Sequence, residues 1–295
     1  MRVVAVKMTD ASMPAAPPPL EPHRARRRFS QNFLRDPAAI GRIVEAIAPQ
    51  PGDDLVEVGP GRGALTAPLL ERCGRLTAVE IDRDLARMLE RRFEGQGLTL
   101  LCADALRIDW CAFAEARSAK AGLRIVGNLP YHISTPLLFT WLPIAAQVAD
   151  QHLMLQKEVV DRIVAPPGGR DYGRLSVMLQ FRYRTERLFD VAPGAFVPAP
   201  KVRSAVIRMV PRPPGELAVA DVASFARVVT AAFGQRRKTL RNALASVLDE
   251  AALRRADVDP GARAETLDVA AFARLAAQLR EGGSPLARAA AEGRG

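Results

Sequence analysis

Apolar residues recur at Ile40, Ile43, Val44 and Ile47, the i, i+3, i+4, i+7 spacing of a helix that buries one face. Asp36-Pro37 stands just ahead of them, a side chain suited to the N-cap followed by a residue suited to the first turn. A short apolar run, Leu55–Val58, then ends in glycines, and Leu65, Leu69 and Leu70 resume the helical spacing. The run Leu76–Ile81 precedes a helical stretch over 83–92, and further runs at Leu98–Cys102, Arg124–Gly127 and His152–Leu155 alternate with helix-like segments. Strands alternating with helices of this length predict an α/β fold, a parallel sheet wrapped on both faces.

Past residue 183 the texture changes. Pro193, Pro198 and Pro200 punctuate extended segments over 185–210, which read as the antiparallel end of the sheet. Pro211–Gly215 holds three prolines and a glycine in five residues and can continue neither a helix nor a strand. Residues 220–281 carry only helical patterns. The expected organisation is therefore a sheet domain over 23–210, a linker over 211–219 and a small all-helical domain over 220–281. An Ala/Pro-rich stretch over 1–22 and an Ala/Gly/Arg-rich tail over 282–295 are expected to be disordered.

Charge sharpens this picture. The chain carries a formal +10, and the surplus sits in two places. Residues 21–35 hold five Lys/Arg against one Glu, and residues 201–241 hold nine against two. Confined basic surplus is the footprint of a polyanion partner, nucleic acid being the commonest. Cys73, Cys102 and Cys111 form no CxxC pair, so reduced, buried thiols are expected rather than a disulfide framework or a metal site. No apolar run reaches 18 residues, which speaks against a membrane span, and a cytoplasmic monomer is the expectation.

Candidate chemistry begins at Val56-Glu57-Val58-Gly59-Pro60-Gly61-Arg62-Gly63, where a strand turns into a helix through glycines that let the backbone approach a ligand. Glu80, at the end of the next strand, can take the two ribose hydroxyls of an adenosine-containing ligand. Its neighbour Asp82 reads as the cap of the helix beginning at 83. Asp104 ends the third strand on the same rim and can accept from the ligand's adenine amine. A nicotinamide cofactor fits the first two features, although GxGxG lacks the GxGxxG spacing of dinucleotide folds. The fourth strand ends Asn128-Leu129-Pro130-Tyr131. Adenine N6 is a poor nucleophile because its lone pair is delocalised. The Asn128 side-chain oxygen and the Leu129 carbonyl can accept its two hydrogens, Pro130 fixes the turn without a competing amide, and Tyr131 can stack on a base taken out of its helix or loop.

Taken with Gln31-Asn32-Phe33-Leu34 and Phe196-Val197-Pro198-Ala199-Pro200-Lys201-Val202, these motifs occur in an order similar to that of the ribosomal RNA adenine N6,N6-dimethyltransferases, over roughly residues 28–281. The resemblance is greatest to bacterial small-subunit members. It implies a Rossmann-like class I methyltransferase domain using S-adenosylmethionine, and an immature small ribosomal subunit as partner. Its substrate would be two adjacent adenosines in the 3′-terminal hairpin loop of 16S RNA. It makes Asn32 and Leu34 part of a lid, with Gly59 and Gly61 beneath the cofactor, Glu80 on its ribose, Asp104 on its adenine and Asn128 between cofactor and target. Phe196 would face Tyr131 across the base. Many relatives carry Asn where this chain has His132, which leaves that position without a role, and the chemistry calls for no metal.

Gly234–Arg241 reads as the start of a helix with apolar positions Leu240, Leu244, Val247 and Leu248. Cations in its first turn would oppose the helix dipole unless phosphate binds there. Arg236, Arg237, Lys238 and Arg241, with Arg24, Arg26, Arg27 and Arg28 upstream and Lys201 and Arg203 beside the target pocket, are the candidate RNA-backbone contacts. Three rivals stay open: a large-subunit adenine methyltransferase, a non-catalytic ribosome-assembly factor, and a mitochondrial transcription factor of the same fold.

Overall fold

The computed structural model describes residues 31–117, 122–213, 215–217 and 221–282. Arg24, Arg26, Arg27 and Arg28, the stretch 1–22 and the tail beyond 282 lie outside them. The chain opens with a two-residue strand β1 (Phe33–Leu34) and helix α1 (Pro37–Ile47). Asp36 caps α1 as its sequence predicts, accepting the Ala39 N–H at 2.9 Å. Four β/α units follow: β2 (Asp54–Val58), α2 (Thr66–Cys73), β3 (Leu76–Glu80), α3 (Arg83–Arg92), β4 (Leu98–Cys102), α4 (Trp110–Glu115), β5 (Leu123–Asn128) and α5 (Tyr131–Thr140). Then come β6 (Val148–Gln156), α6 (Lys157–Val164), α7 (Arg174–Arg182), β7 (Tyr183–Val191), the short β8 (Phe196–Val197) and β9 (Ser204–Pro211).

The main sheet has seven strands in the order β4-β3-β2-β5-β6-β9-β7. Pairing is parallel from β4 to β6, while β9 runs antiparallel to both β6 and β7. The order reverses between β2 and β5, and in doubly wound sheets a ligand crevice opens at that point, outside the carboxyl ends of the strands. Gly127 in β5 is required there: a Cβ on it would lie 2.3 Å from the Val58 carbonyl oxygen of β2. A separate two-stranded ribbon pairs Phe33 with Val197 and Leu34 with Phe196, closing the N-terminal segment over the sheet.

The helical module consists of α8 (Val222–Gly234), α9 (Leu240–Ala243), α10 (Glu250–Arg255) and α11 (Val269–Gly282). It shares a continuous apolar core with the sheet domain. Phe181 of α7 packs on Phe225 of α8 with ring centroids 4.4 Å apart, and Tyr172 meets Phe233 edge-on at 6.2 Å. The described part of the predicted linker is also held. β9 runs through Pro211, the Arg212 N–H bonds the Arg182 carbonyl at 2.9 Å, and Glu216 bridges Arg184 and Arg212.

A further correction concerns residues 234–241. Gly234 ends α8, Gln235–Arg237 form a turn, Thr239 is the N-cap of α9, and α9 spans only four residues. Arg236, Arg237 and Lys238 therefore precede a short helix instead of filling the first turn of a long one, and the expected conflict with its dipole does not arise. The glycine that looked like a start is a stop. Cys73 is buried, but Cys102 and Cys111 are exposed, contrary to the expectation that all three would be buried. Among the described residues no helix is long and apolar enough to cross a membrane.

Candidate active site

A cavity of about 270 Å³ lies at the reversal point, walled by the carboxyl ends of β2, β3, β4 and β5 and roofed by residues 31–34. Its floor begins with the turn after β2. Gly61 has φ +58°, and a Cβ there would come within 3.1 Å of the Phe33 ring. Only glycine takes this backbone region without strain while leaving room for the roof. Gly59 donates its N–H to the Val79 carbonyl at 3.0 Å, tying the turn to β3.

Glu80 ends β3 just beneath this turn. Its Oε2 accepts the Gly61 N–H at 3.2 Å and its Oε1 the Asp82 N–H at 2.9 Å. Burial nevertheless pushes the carboxyl up to about 7, against the opposing pull of those two amides. Glu57, wholly buried in β2, is likewise pushed up to about 7 by burial, with the Thr66 hydroxyl at 2.6 Å favouring its charged form and Glu80 disfavouring it. Among the described residues no cation figures in the shift of either group. Asp82 caps α3 as predicted, accepting from Asp84 N–H at 3.0 Å, and takes a further bond from Gln31 Nε2 at 3.2 Å.

Asp104 lines the cavity, but its Oδ1 already accepts the Leu106 N–H at 3.0 Å and its Oδ2 lies 3.8 Å from Arg107 Nε. It is both a helix cap and part of the cavity wall. Asn128, Leu129, Pro130 and Tyr131 line the side furnished by β5. Asn128 Nδ2 donates to the Asn32 carbonyl at 3.2 Å, which commits the amide's nitrogen and leaves Oδ1 as its acceptor. Tyr131 opens α5, and its hydroxyl meets Ser204 Oγ at 2.8 Å. Asn32 and Leu34 form part of the roof, and the exposed His132 stands at the margin.

Phe196, expected to face Tyr131 across the base, is not among the described residues that line the cavity. It is 2% exposed and packs with Leu34, Val126, Met154 and Val206, beneath the β1·β8 ribbon. It pairs with Leu34 across the ribbon, and burying a side chain of this size contributes about 1.5–3 kcal/mol. Moving that ring against a base would forfeit the packing. Lys201 and Arg203 are exposed on the segment between β8 and β9, and Arg236, Arg237, Lys238 and Arg241 are exposed on the helical module. Arg236 Nη2 donates to the Arg170 carbonyl at 2.6 Å, and Arg241 stands 3.6 Å from Glu250. None of these six cations is among the described residues that line the cavity.

Sequence reasoning quoted Glu57 within the glycine motif without assigning it a role. The available signal was a carboxylate inside a strand that the fold buries on both faces, a placement that is costly without a partner. Gln31, Phe33 and Arg62, quoted within motifs but given no role, and Ile81, the end of a strand run, also line the cavity.

Residues 22–281 match the family described as Ribosomal RNA adenine dimethylase. A protein named Ribosomal RNA small subunit methyltransferase A from Aromatoleum aromaticum is 57% identical over 250 residues, covering 85% of this chain and 92% of its own. Its namesake from Bordetella bronchiseptica is 54% identical over 266 residues, covering 89% and 97%. A dimethyladenosine transferase from Plasmodium falciparum shares the fold, with TM-score 0.71 over 85% of this chain and 98% of its own at 22% identity. The 23S rRNA methyltransferase ErmE gives TM-score 0.63 over 84% of this chain and 100% of its own at 29% identity. A family match running from the N-terminal roof to α11, on a fold shared with those enzymes, has one meaning: the chain belongs to the ribosomal RNA adenine dimethylase family of methyltransferases.

Proposed function

We propose that this protein methylates N6 of adenines in small-subunit ribosomal RNA, placing two methyl groups on each of two adjacent adenosines in the 3′-terminal hairpin loop of 16S RNA within an immature small subunit. The observation that carries this reading is the bond from Asn128 Nδ2 to the Asn32 carbonyl. It orients the amide so that its oxygen accepts, which is what an N6 amine requires: an acceptor on its hydrogens localises the lone pair and aims it.

The residues fit S-adenosylmethionine. Glu80 offers a buried carboxylate whose two backbone donors leave further acceptor capacity, as a ribose diol needs. The turn at Gly61 leaves room between floor and roof, and Asp104 stands on the wall where an adenine amine would reach it. When bound, that cofactor supplies a methyl already activated by its sulfonium. The protein's own contribution is positioning, which can supply several kcal/mol of the barrier when reacting atoms are held in line. Asn128 and the Leu129 carbonyl hold the amine, Pro130 withholds a competing N–H, and Tyr131 supports the base. The exposed cations Lys201, Arg203, Arg236, Arg237, Lys238 and Arg241 contact RNA phosphates, which position the substrate without reading its sequence.

The test is transfer of labelled methyl from S-adenosylmethionine to small subunits lacking adenine dimethylation, followed by mass mapping of the RNA. Two adjacent dimethyladenosines near the 3′ end are expected. Binding to the subunits without transfer would overturn the catalytic reading in favour of an assembly factor, and label on large subunits alone would move the substrate.

A further inference from the structure

Ser204 is fully buried, and its strand continues with Ala205, Val206 and Ile207, all equally enclosed. A hydroxyl in such surroundings is costly unless bonded, and the bond it makes is to the Tyr131 hydroxyl at 2.8 Å. Its backbone is held from both sides, opposite Gln156 of β6 and Val191 of β7, so Oγ is a fixed point. Tyr131 is also tied at its other end, its carbonyl accepting the Ser134 hydroxyl at 3.0 Å. A tyrosine ring turns about two side-chain torsions, the second of them loosely restrained. Anchoring the para oxygen, the atom farthest from the backbone and on the axis of the second torsion, restrains the first and so fixes where the ring stands.

From this geometry we infer that Ser204 is a positioning residue for methyl transfer, holding in place the Tyr131 ring against which the target base stacks. The inference rests on the reading of Tyr131 given above. Ser204 never touches the base. It also links two parts of the site, because it directly follows Arg203, whose carbonyl is fixed by the Lys157 N–H at 2.9 Å. The segment bearing Lys201 and Arg203 is thereby continuous with the support of the target base.

The experiment is a double-mutant cycle on the full chain, Ser204→Ala, Tyr131→Phe and the two combined, with Tyr131→Ala alongside. Labelled methyl transfer to unmodified small ribosomal subunits is followed under saturating and limiting subunit. Each single variant should lower kcat about three- to tenfold, the range spanned by one neutral hydrogen bond. KM for the subunit and Kd for S-adenosylmethionine should stay at their wild-type values, and the double variant should be no slower than the slower single. Losses that multiply in the double variant, or a wild-type kcat in Tyr131→Phe, overturn the inference. Because Tyr131→Phe removes the same bond from the rim without touching β9, the test survives a Ser204→Ala protein that fails to fold. Should Tyr131→Ala lose transfer while both hydrogen-bond variants keep it, only the role of Ser204 fails; should Tyr131→Ala also keep it, the stacking role of Tyr131 fails too.

Discussion

At the amino ends of the strands, Arg124 bonds both Asp150 oxygens at 3.0 and 2.9 Å, Asp53 at 2.5 Å and the Ile47 carbonyl at 2.5 Å. Beside it, Arg117 joins Asp54 to Thr77 at 2.7 Å each. At the carboxyl ends of the same sheet, Glu57 and Glu80 are enclosed with no cation bonded to them among the described residues. Burial opposes ionisation of Asp150 as well, but His152 and Arg124 outweigh it and hold the carboxyl down at about 2. The two glutamates stand at about 7. One rim spends its charges on neutralising each other, and the other keeps carboxylates that no cation among the described residues pairs with. In a sheet of this kind that asymmetry separates the end that secures the fold from the end that receives a ligand.

The comparison can be broken hardest at Asn128. Asn128→Ala should lower methyl transfer on the order of a hundredfold or more, the scale of a misplaced reacting group, while S-adenosylmethionine still binds by calorimetry. At the opposite rim, Arg124→Met leaves Asp53 and Asp150 enclosed without their shared cation. It should cost about 3 kcal/mol in denaturant unfolding, the scale of a buried pair robbed of one partner. The pH profile adds a check. Stability from a depressed carboxyl is present above its unfolded value near 3.8 and lost as pH falls through about 2; that loss should shrink in Arg124→Met, with the part due to His152 remaining.

Glu80 has the opposite sign. Its folded value lies above the unfolded 4.5, so its contribution to stability is present below 4.5 and lost as pH rises through about 7. Ribose hydroxyls favour the ionised form, so affinity for S-adenosylmethionine should increase as pH rises through about 7. Glu80→Gln should weaken binding about tenfold above that pH, the scale of a hydrogen bond to a charged group, and flatten the profile. The smallest effect is expected from Thr66→Val. It removes the hydroxyl that favours Glu57 ionisation and should cost about 1 kcal/mol, more above pH 7 than below it, measured by thermal unfolding at both pH values.

The legible part of the molecule was local in character. Asp36 and Asp82 were readable as caps because an Ncap partner lies two or three residues away. Strand runs and the glycine turn needed only short-range periodicity, and the order of motifs from Asn32 to Tyr131 located the cavity. What escaped depends on distant pairing. The Arg124 cluster joins residues 71 and 26 positions apart, and nothing near Arg124 announces it. Phe196 looked like a stacking ring because an aromatic before Val-Pro-Ala-Pro is compatible with that role. In the structure it pairs with Leu34, on a strand of only two residues, and is 2% exposed in the apolar core. The basic run at 236–238 was read as a helix start because the apolar spacing after it is helical. The glycine before it ends the previous helix, and local charge carries no information about which side of a turn it occupies.

The β1·β8 ribbon also dictates an order of events during synthesis. Asn32, whose carbonyl orients Asn128, leaves the ribosome early, yet the strand that holds Phe33 and Leu34 in place is not made until Phe196 and Val197. A nascent chain that has already produced every strand from β2 to β7 still lacks the partner for its roof. The parallel sheet and its glycine turn can form on the way out; the centre that aims the amine is completed only when the chain returns to its own beginning.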